Sequence, residues 1–311
     1  MRNSKVQTIR WLIFLSVCVI ALGRIQLKVS GNQDEDEIRD LTRTSWTSKR
    51  PHSATRIADT KYRIIQRLPK AIRRQSVAED SEIGVTLWHL RPARSDDPIE
   101  IKELVQPTKG ATKEEWTPER ITSNAALEEG QMVRLSIESL RTGFLYVINR
   151  AKYKDGGYSD PYLIFPTKQI YGGNNKVEVG RAIQIPGPEE EPFMLQRDRS
   201  RGDDLQVSEE LIILVTSQPL QSFLVAPTGR QKLTSQSVAN LLAKYASPYE
   251  IAEKVGGTGN VITIAEKRVA KDSVGKLSAE DPYPQTIYRL TRKPSETMLL
   301  KIELQVRSKE R

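Results

Sequence analysis

The chain has one cysteine, two histidines and few aromatic side chains, which make up 6% of its 311 residues. A single cysteine excludes an internal disulfide framework and a thiolate cluster for zinc. The two histidines, His52 and His89, leave little for an imidazole metal site. A Ser-His-Asp triad would depend on His89, which sits beside Trp88 in a predicted strand and reads as a sheet-face histidine. Long apolar runs are scarce too. The longest run, residues 11–23, holds 13 residues, whereas a spanning helix needs about 17–25. The mean hydropathy of −0.49 excludes a multispanning membrane protein. There is no Gly-x-Ser-x-Gly elbow and no Gly-Lys-Ser/Thr phosphate loop. Gly256-Gly257-Thr258-Gly259-Asn260 is glycine-rich but precedes a predicted strand, Val261 to Ile264, and reads as a turn. No catalytic residue, metal ligand or cofactor is expected from these patterns.

Acidic residues are plentiful, but their spacing is not that of a site. Asp155, Asp160, Asp203 and Asp204 fall in loops without the order of a calcium loop. Glu189-Glu190-Glu191 is the one dense acidic run of the folded part, and it reads as a solvated loop. Neighbouring loop carboxylates do not provide the opposed separation that glycoside hydrolysis needs. Arg201-Gly202-Asp203 spells an adhesion tripeptide and reads as a charged turn.

The charge is unevenly placed. The chain has 48 Lys+Arg and 39 Asp+Glu, a formal net charge of +9. Residues 41–78 carry ten basic residues and the single acid Asp59, so this segment accounts for the whole excess and the remainder is neutral. An electrostatic partner therefore concerns that tract, as an anionic surface contact. Its sparse aromatics, Trp46 and Tyr62, and the predicted export of the chain argue against nucleic acid. An acidic block at residues 34–40 precedes the tract.

Arg2, Lys5 and Arg10 flank the apolar run 11–23, which Arg24 ends. This is the layout of a secretory signal, with cleavage between Gly23 and Arg24, leaving a chain without cysteine. An uncleaved anchor and a lipid-attachment box at Leu15-Ser16-Val17-Cys18 are alternatives. All three place the rest of the chain outside the cytoplasm, periplasmic, secreted or membrane-anchored. Residues 24–80 read as a charged, largely disordered linker.

From Ile83 onward strand patterns dominate. Ile83 to Leu90 alternates, and Val133, Leu135 and Ile137 share one face. Residues 91–130 read as loop-rich, with Pro92, Pro98, Pro107 and Pro118. Leu211 to Thr216 is apolar throughout and suits a central strand buried on both faces. Leu300 to Val306 alternates cleanly. Ser235 begins a helical pattern through Val238, Leu241, Leu242 and Tyr245, and a second short helix is predicted through Ile251. The expected fold is mainly β, an antiparallel β-sandwich-like domain over residues 81–308. A short helical insertion is expected near residues 235–254, within about 227–275.

Taken together, IGVTLWHL (83–90), GQMVRLSIES (130–139), GFLYVINR (143–150), DPYLIFP (160–166), GGNNKV (172–177) and LIILVTSQPL (211–220) resemble an uncharacterised bacterial domain-of-unknown-function family. Gln131 stands where that family often has Asp, and Phe144 where it often has Tyr. The resemblance covers roughly residues 81–226 and implies a β-rich, exported interaction module. It carries no catalytic residues.

The expected function is a non-enzymatic interaction module of the cell envelope or secreted space, with an unknown protein or envelope component as partner. Tyr153, Tyr158 and Tyr171, around the Gly-rich turns, are expected as exposed contact residues. The alternatives are a secreted hydrolase using carboxylates from separate loops, which requires a pocket with convergent acids, and a basic adaptor to anionic surfaces.

Overall fold

The computed structural model describes residues 46, 50, 62–65, 81–106, 112–187, 190–199, 201, 205–223, 225, 229–254, 257–271, 276–290 and 296–307. In chain order the strands are β1 (Tyr62–Ile65), β2 (Ser81–Pro92), β3 (Glu103–Val105), β4 (Glu114–Ile121), β5 (Ala126–Glu128), β6 (Met132–Ser139), β7 (Gly143–Tyr153) and β8 (Tyr162–Phe165). They continue with β9 (Lys176–Val177), β10 (Ala182–Ile185), β11 (Phe193–Met194), β12 (Gln206–Thr216), β13 (Gln231–Lys232), β14 (Glu250–Lys254), β15 (Thr286–Leu290) and β16 (Met298–Arg307). Two helices, α1 (Ser235–Tyr245) and α2 (Ile264–Lys271), lie between β13 and β15.

The strands form two sheets. In the first, β2 pairs antiparallel with β6 along one edge. Its other edge is shared, β15 taking the first half and β4 the second. β14 and β1 extend the sheet beyond β15, β3 extends it beyond β4, and β10 and β11 line up on β6. In the second sheet β12 is central between β7 and β16. β8 and β9 share the far edge of β7, β13 pairs with β8, and β5 runs parallel to β16.

Alternation explains how the sheets stack. Ile83, Val85 and Leu87 of β2 and Val133, Leu135 and Ile137 of β6 face Leu145 and Val147 of β7 and Leu211, Ile213 and Val215 of β12 in one buried cluster. Each such side chain, once fully buried, contributes about 1.5–3 kcal/mol. The intervening residues Ile212 and Leu214 are buried as well, against α1 through Val238, Leu241, Leu242 and Tyr245. The second sheet is thus covered on both faces, and β12 is apolar throughout for that reason.

Several sequence expectations are corrected by these contacts. The N-cap of α1 is Thr234, whose side chain accepts from the Ser237 N–H, and not Ser235. No second helix runs through Ile251: Glu250–Lys254 is a strand of the first sheet, paired on both edges. The region 227–275 is therefore woven into both sheets through β13 and β14, not inserted as a helical excursion. Ile264 opens α2, not the end of a strand. The loop-rich 91–130 segment contains β3, β4 and β5. Pro118 is tolerated in β4 because its carbonyl accepts from Ile262 N–H. Its missing donor falls on that same side, away from the β2 ladder.

The linker reading of residues 24–80 also changes. Trp46 is fully buried among Leu140, Ala252 and Ile287, with Tyr283 at its margin. Arg50 lies between the rings of Trp46 and Tyr283. Its guanidinium pairs with Glu138 and donates to the carbonyls of Ser278, Asp281 and Pro282. β1 adds an edge to the first sheet. These parts of the basic tract belong to the folded domain, which starts before residue 81.

The outer face of the first sheet is unusually polar for a covered surface. Three further buried ion pairs cross it: Arg289–Glu82, Arg120–Glu266 and Arg134–Glu103. Arg120 also stacks on Trp88 at 4.8 Å. Among the described residues no helix is long and apolar enough to cross a membrane. Gly23, Arg24 and the apolar run 11–23 lie outside the described residues.

Candidate functional site

The inward stripe of the second sheet changes chemistry at one end. Along β7 the inward positions run Leu145, Val147, Asn149, Ala151, Tyr153. Along β12 they run Val215, Ile213, Leu211, Glu209. Leu211 is opposite Asn149 and Glu209 is opposite Ala151. Apolar packing thus gives way to an amide and a carboxylate within two residues on each strand. The sandwich opens there into two adjoining cavities of about 860 and 580 Å³, both lined by Asn149, Gln196, Glu209 and Arg230.

The polar groups are linked by hydrogen bonds. Asn149 Nδ2 and Gln206 Nε2 each donate to the Glu209 carboxylate at 2.7 Å. The Asp198 backbone N–H donates to Gln206 Oε1, and the Tyr153 hydroxyl donates to Asp198 Oδ2 at 2.8 Å. Such a chain holds its members in place before any ligand arrives. Burial pushes the Glu209 carboxyl above its ordinary range, opposed by the Asn149 and Gln206 amides and the Arg230 charge and assisted by the Asp198 charge. Glu190, across the larger cavity, is also raised by burial. One of its oxygens, Oε1, is buried with no hydrogen-bond partner among the described residues.

A pH dependence follows. A raised carboxyl binds its proton more tightly folded than unfolded, so its contribution to stability is full below its ordinary value of 4.5. It is lost as pH rises through the higher folded value. Thermal unfolding of the wild type and Glu209→Gln at pH 4 and pH 7 checks this. The wild type should lose more stability than the variant over that interval; equal losses would assign no such role to Glu209.

The three tyrosines expected as an exposed cluster occupy different settings. Tyr153 is buried, at 2% exposure, which corrects its assignment as a surface contact. It lies on the inward side of β7 and its ring is covered by Arg201 at 4.6 Å. Tyr158 is half-buried with the Arg150 guanidinium 3.5 Å from its ring centre, and it lines the smaller cavity with Tyr153. Tyr171 is half-buried elsewhere, donating to the Ala270 carbonyl at 2.8 Å and accepting from Gln184 N–H at 3.2 Å. It lines neither cavity. A joint exposed surface of all three is therefore not present.

Other candidate groups are placed as follows. Asp155 caps its own turn by accepting from Gly157 N–H, and Asp160 pairs with Lys232. His89 is half-buried, and burial lowers its pKa. Asp203, Asp204, Glu189 and His52 lie outside the described residues. Among the described residues no group of three His, Cys, Asp or Glu side chains is placed to hold a metal ion.

Asn149, Glu209, Glu190 and Arg230 were not anticipated as site residues. The usable signal was parity: Asn149 follows Leu145 and Val147, and Glu209 precedes Leu211 and Ile213, each at two-residue steps. A polar residue on a core stripe is more informative than one in a loop. No family model, curated protein or solved structure matches the chain.

Proposed function

We propose that this chain is an exported, non-enzymatic interaction module whose ligand occupies the double cavity at the end of the sandwich. The observation that carries the reading is the half-buried Glu209 carboxylate, held by Asn149 and Gln206 on the inner face of the sheets where the core opens. A preformed concave site with a few fixed polar groups is the usual form of a ligand pocket. The basic flank and 13-residue apolar run at the N-terminus support export. The likeness to an exported β-rich family supports an interaction role.

A thermal-shift screen of small polar and amphipathic compounds tests it, with Arg230→Met as the cavity variant. Compounds that stabilise the wild type should do so at least about tenfold less well with the variant. Stabilising compounds indifferent to the cavity substitution would sink the reading. A second reading, a hydrolase using carboxylates from separate elements, has one observation in its favour. Glu190 and Glu209 line the same cavity and both hold their protons more tightly than usual. Recovery of bound compounds intact after long incubation supports the module; cleavage that Glu209→Gln abolishes supports the hydrolase.

A further inference from the structure

The two cavities differ in lining, and this sorts the ligands that can fill both. The larger has an apolar wall of Ile164, Ile170, Phe193, Leu195 and Leu211, with Glu190, Glu191 and Glu209 among its polar lining. The smaller is lined by Arg197, Arg201 and Arg230, by Tyr153, Tyr158 and Tyr162, and by the carboxylates of Asp160, Asp198 and Glu209. Arg230 stacks on Tyr162 at 4.3 Å and forms no ion pair among the described residues. The Arg201 guanidinium lies over Tyr153, with its Asp155 contact at a loose 3.5 Å. Two of the acids there are already engaged: Asp160 by Lys232 and Asp198 by the Tyr153 hydroxyl.

From this division we infer that the ligand is an amphipathic anion, with an apolar body in the larger cavity and one carboxylate or similar oxyanion among the three arginines. The inference rests on the proposed ligand site and names its chemistry. Arginine's planar fork suits an oxyanion. A cation would find Asp160 already paired with Lys232 and Asp198 already accepting from Tyr153. A ligand charged along its whole length would place charge against Ile164, Ile170 and Leu211 without pairing, which is costly. The cavities share Glu209, whose two oxygens already accept from the Asn149 and Gln206 amides.

Isothermal titration with dodecanoate, dodecyltrimethylammonium and acetate tests the inference on the full domain. Dodecanoate should bind, with acetate and the cationic amphiphile much weaker. Arg230→Met should weaken dodecanoate about tenfold or more by removing a charge-assisted contact. Met194→Asp, on the half-buried edge strand β11, should weaken it through the apolar wall without touching the arginines. Equal binding of the cationic amphiphile, lost with Met194→Asp, would overturn the anion assignment while leaving the cavity as a ligand site. Dodecanoate binding indifferent to both substitutions, or no binding, would overturn the inference. The site itself is judged separately by the compound screen.

Discussion

A chain that begins at Ser81, the boundary drawn from strand periodicity, is expected to be far less stable than one that begins near residue 40. Trp46 fills the space between Leu140, Ala252, Ile287 and Tyr283 on the outer face of the first sheet. Removing a buried tryptophan costs about 3–5 kcal/mol. Removing Arg50 in the same step leaves Glu138, 3% exposed, without its cation, and breaking one side of a buried pair costs about 3–5 kcal/mol more. The two losses share a site, so their sum is an upper bound. Even one is a large part of the roughly 5–15 kcal/mol that holds an ordinary domain together. Urea midpoints of the two chains measure the difference, and coincident midpoints would refute it. Gly84 provides an independent check, because a Cβ there would overlap Pro284 Cγ and lie 2.9 Å from Trp46 Cη2. Gly84→Ala should destabilise the longer chain by about 1–3 kcal/mol through overpacking.

Glu266→Ala is expected to destabilise the domain by about 3–5 kcal/mol, because it strands the buried Arg120 guanidinium. Arg120 is 1% exposed, pairs with Glu266, and lies over the Trp88 ring. The same carboxylate caps α2. Its Oε2 accepts from the Thr263 N–H at 3.0 Å, while Thr263 Oγ1 accepts from the Glu266 N–H at 3.2 Å. That reciprocal arrangement is a capping box. Glu266→Gln keeps the shape of the box and loses only the charge, so its loss should be smaller. Chemical denaturation of the two variants beside the wild type separates the contributions. If the alanine and glutamine variants lose equal stability, the charge pair dominates; if alanine loses less than about 1 kcal/mol, Arg120 does not depend on Glu266.

What could be read from residues alone follows the range of the interaction. β2, β6, β12 and β16 were visible because alternation, or an unbroken apolar run, is a local property of a few consecutive residues. The sandwich follows from several such strands. Thr263-x-x-Glu266 was equally local and marks the start of α2, yet the β-branched Val261-Ile262-Thr263-Ile264 looked like a strand. The capping signal outweighed propensity there. Trp46 and Arg50 were illegible for a different reason. Their partners in the sheets and loops lie 88 to 241 positions away along the chain, so nothing beside them in sequence records the contact. The acidic loop illustrates a third case. Glu190 belongs to a run that looks solvated, and only the fold of β6, β11 and β12 around it reveals that it is half-buried. The outer-face ion pairs were hidden in the same way. Glu82, Arg134 and Glu138 occupy the polar positions of alternating strands, which normally face water.

The docking of Trp46 sets a length. Between Gly23, where the apolar run ends, and Trp46 there are 22 residues, against 57 between Gly23 and Ser81. Fully stretched, 22 residues reach about 70–80 Å, whereas 57 would reach about 190–205 Å. The first docked residue of the domain therefore lies less than half as far along the chain from Gly23 as the strand pattern implies.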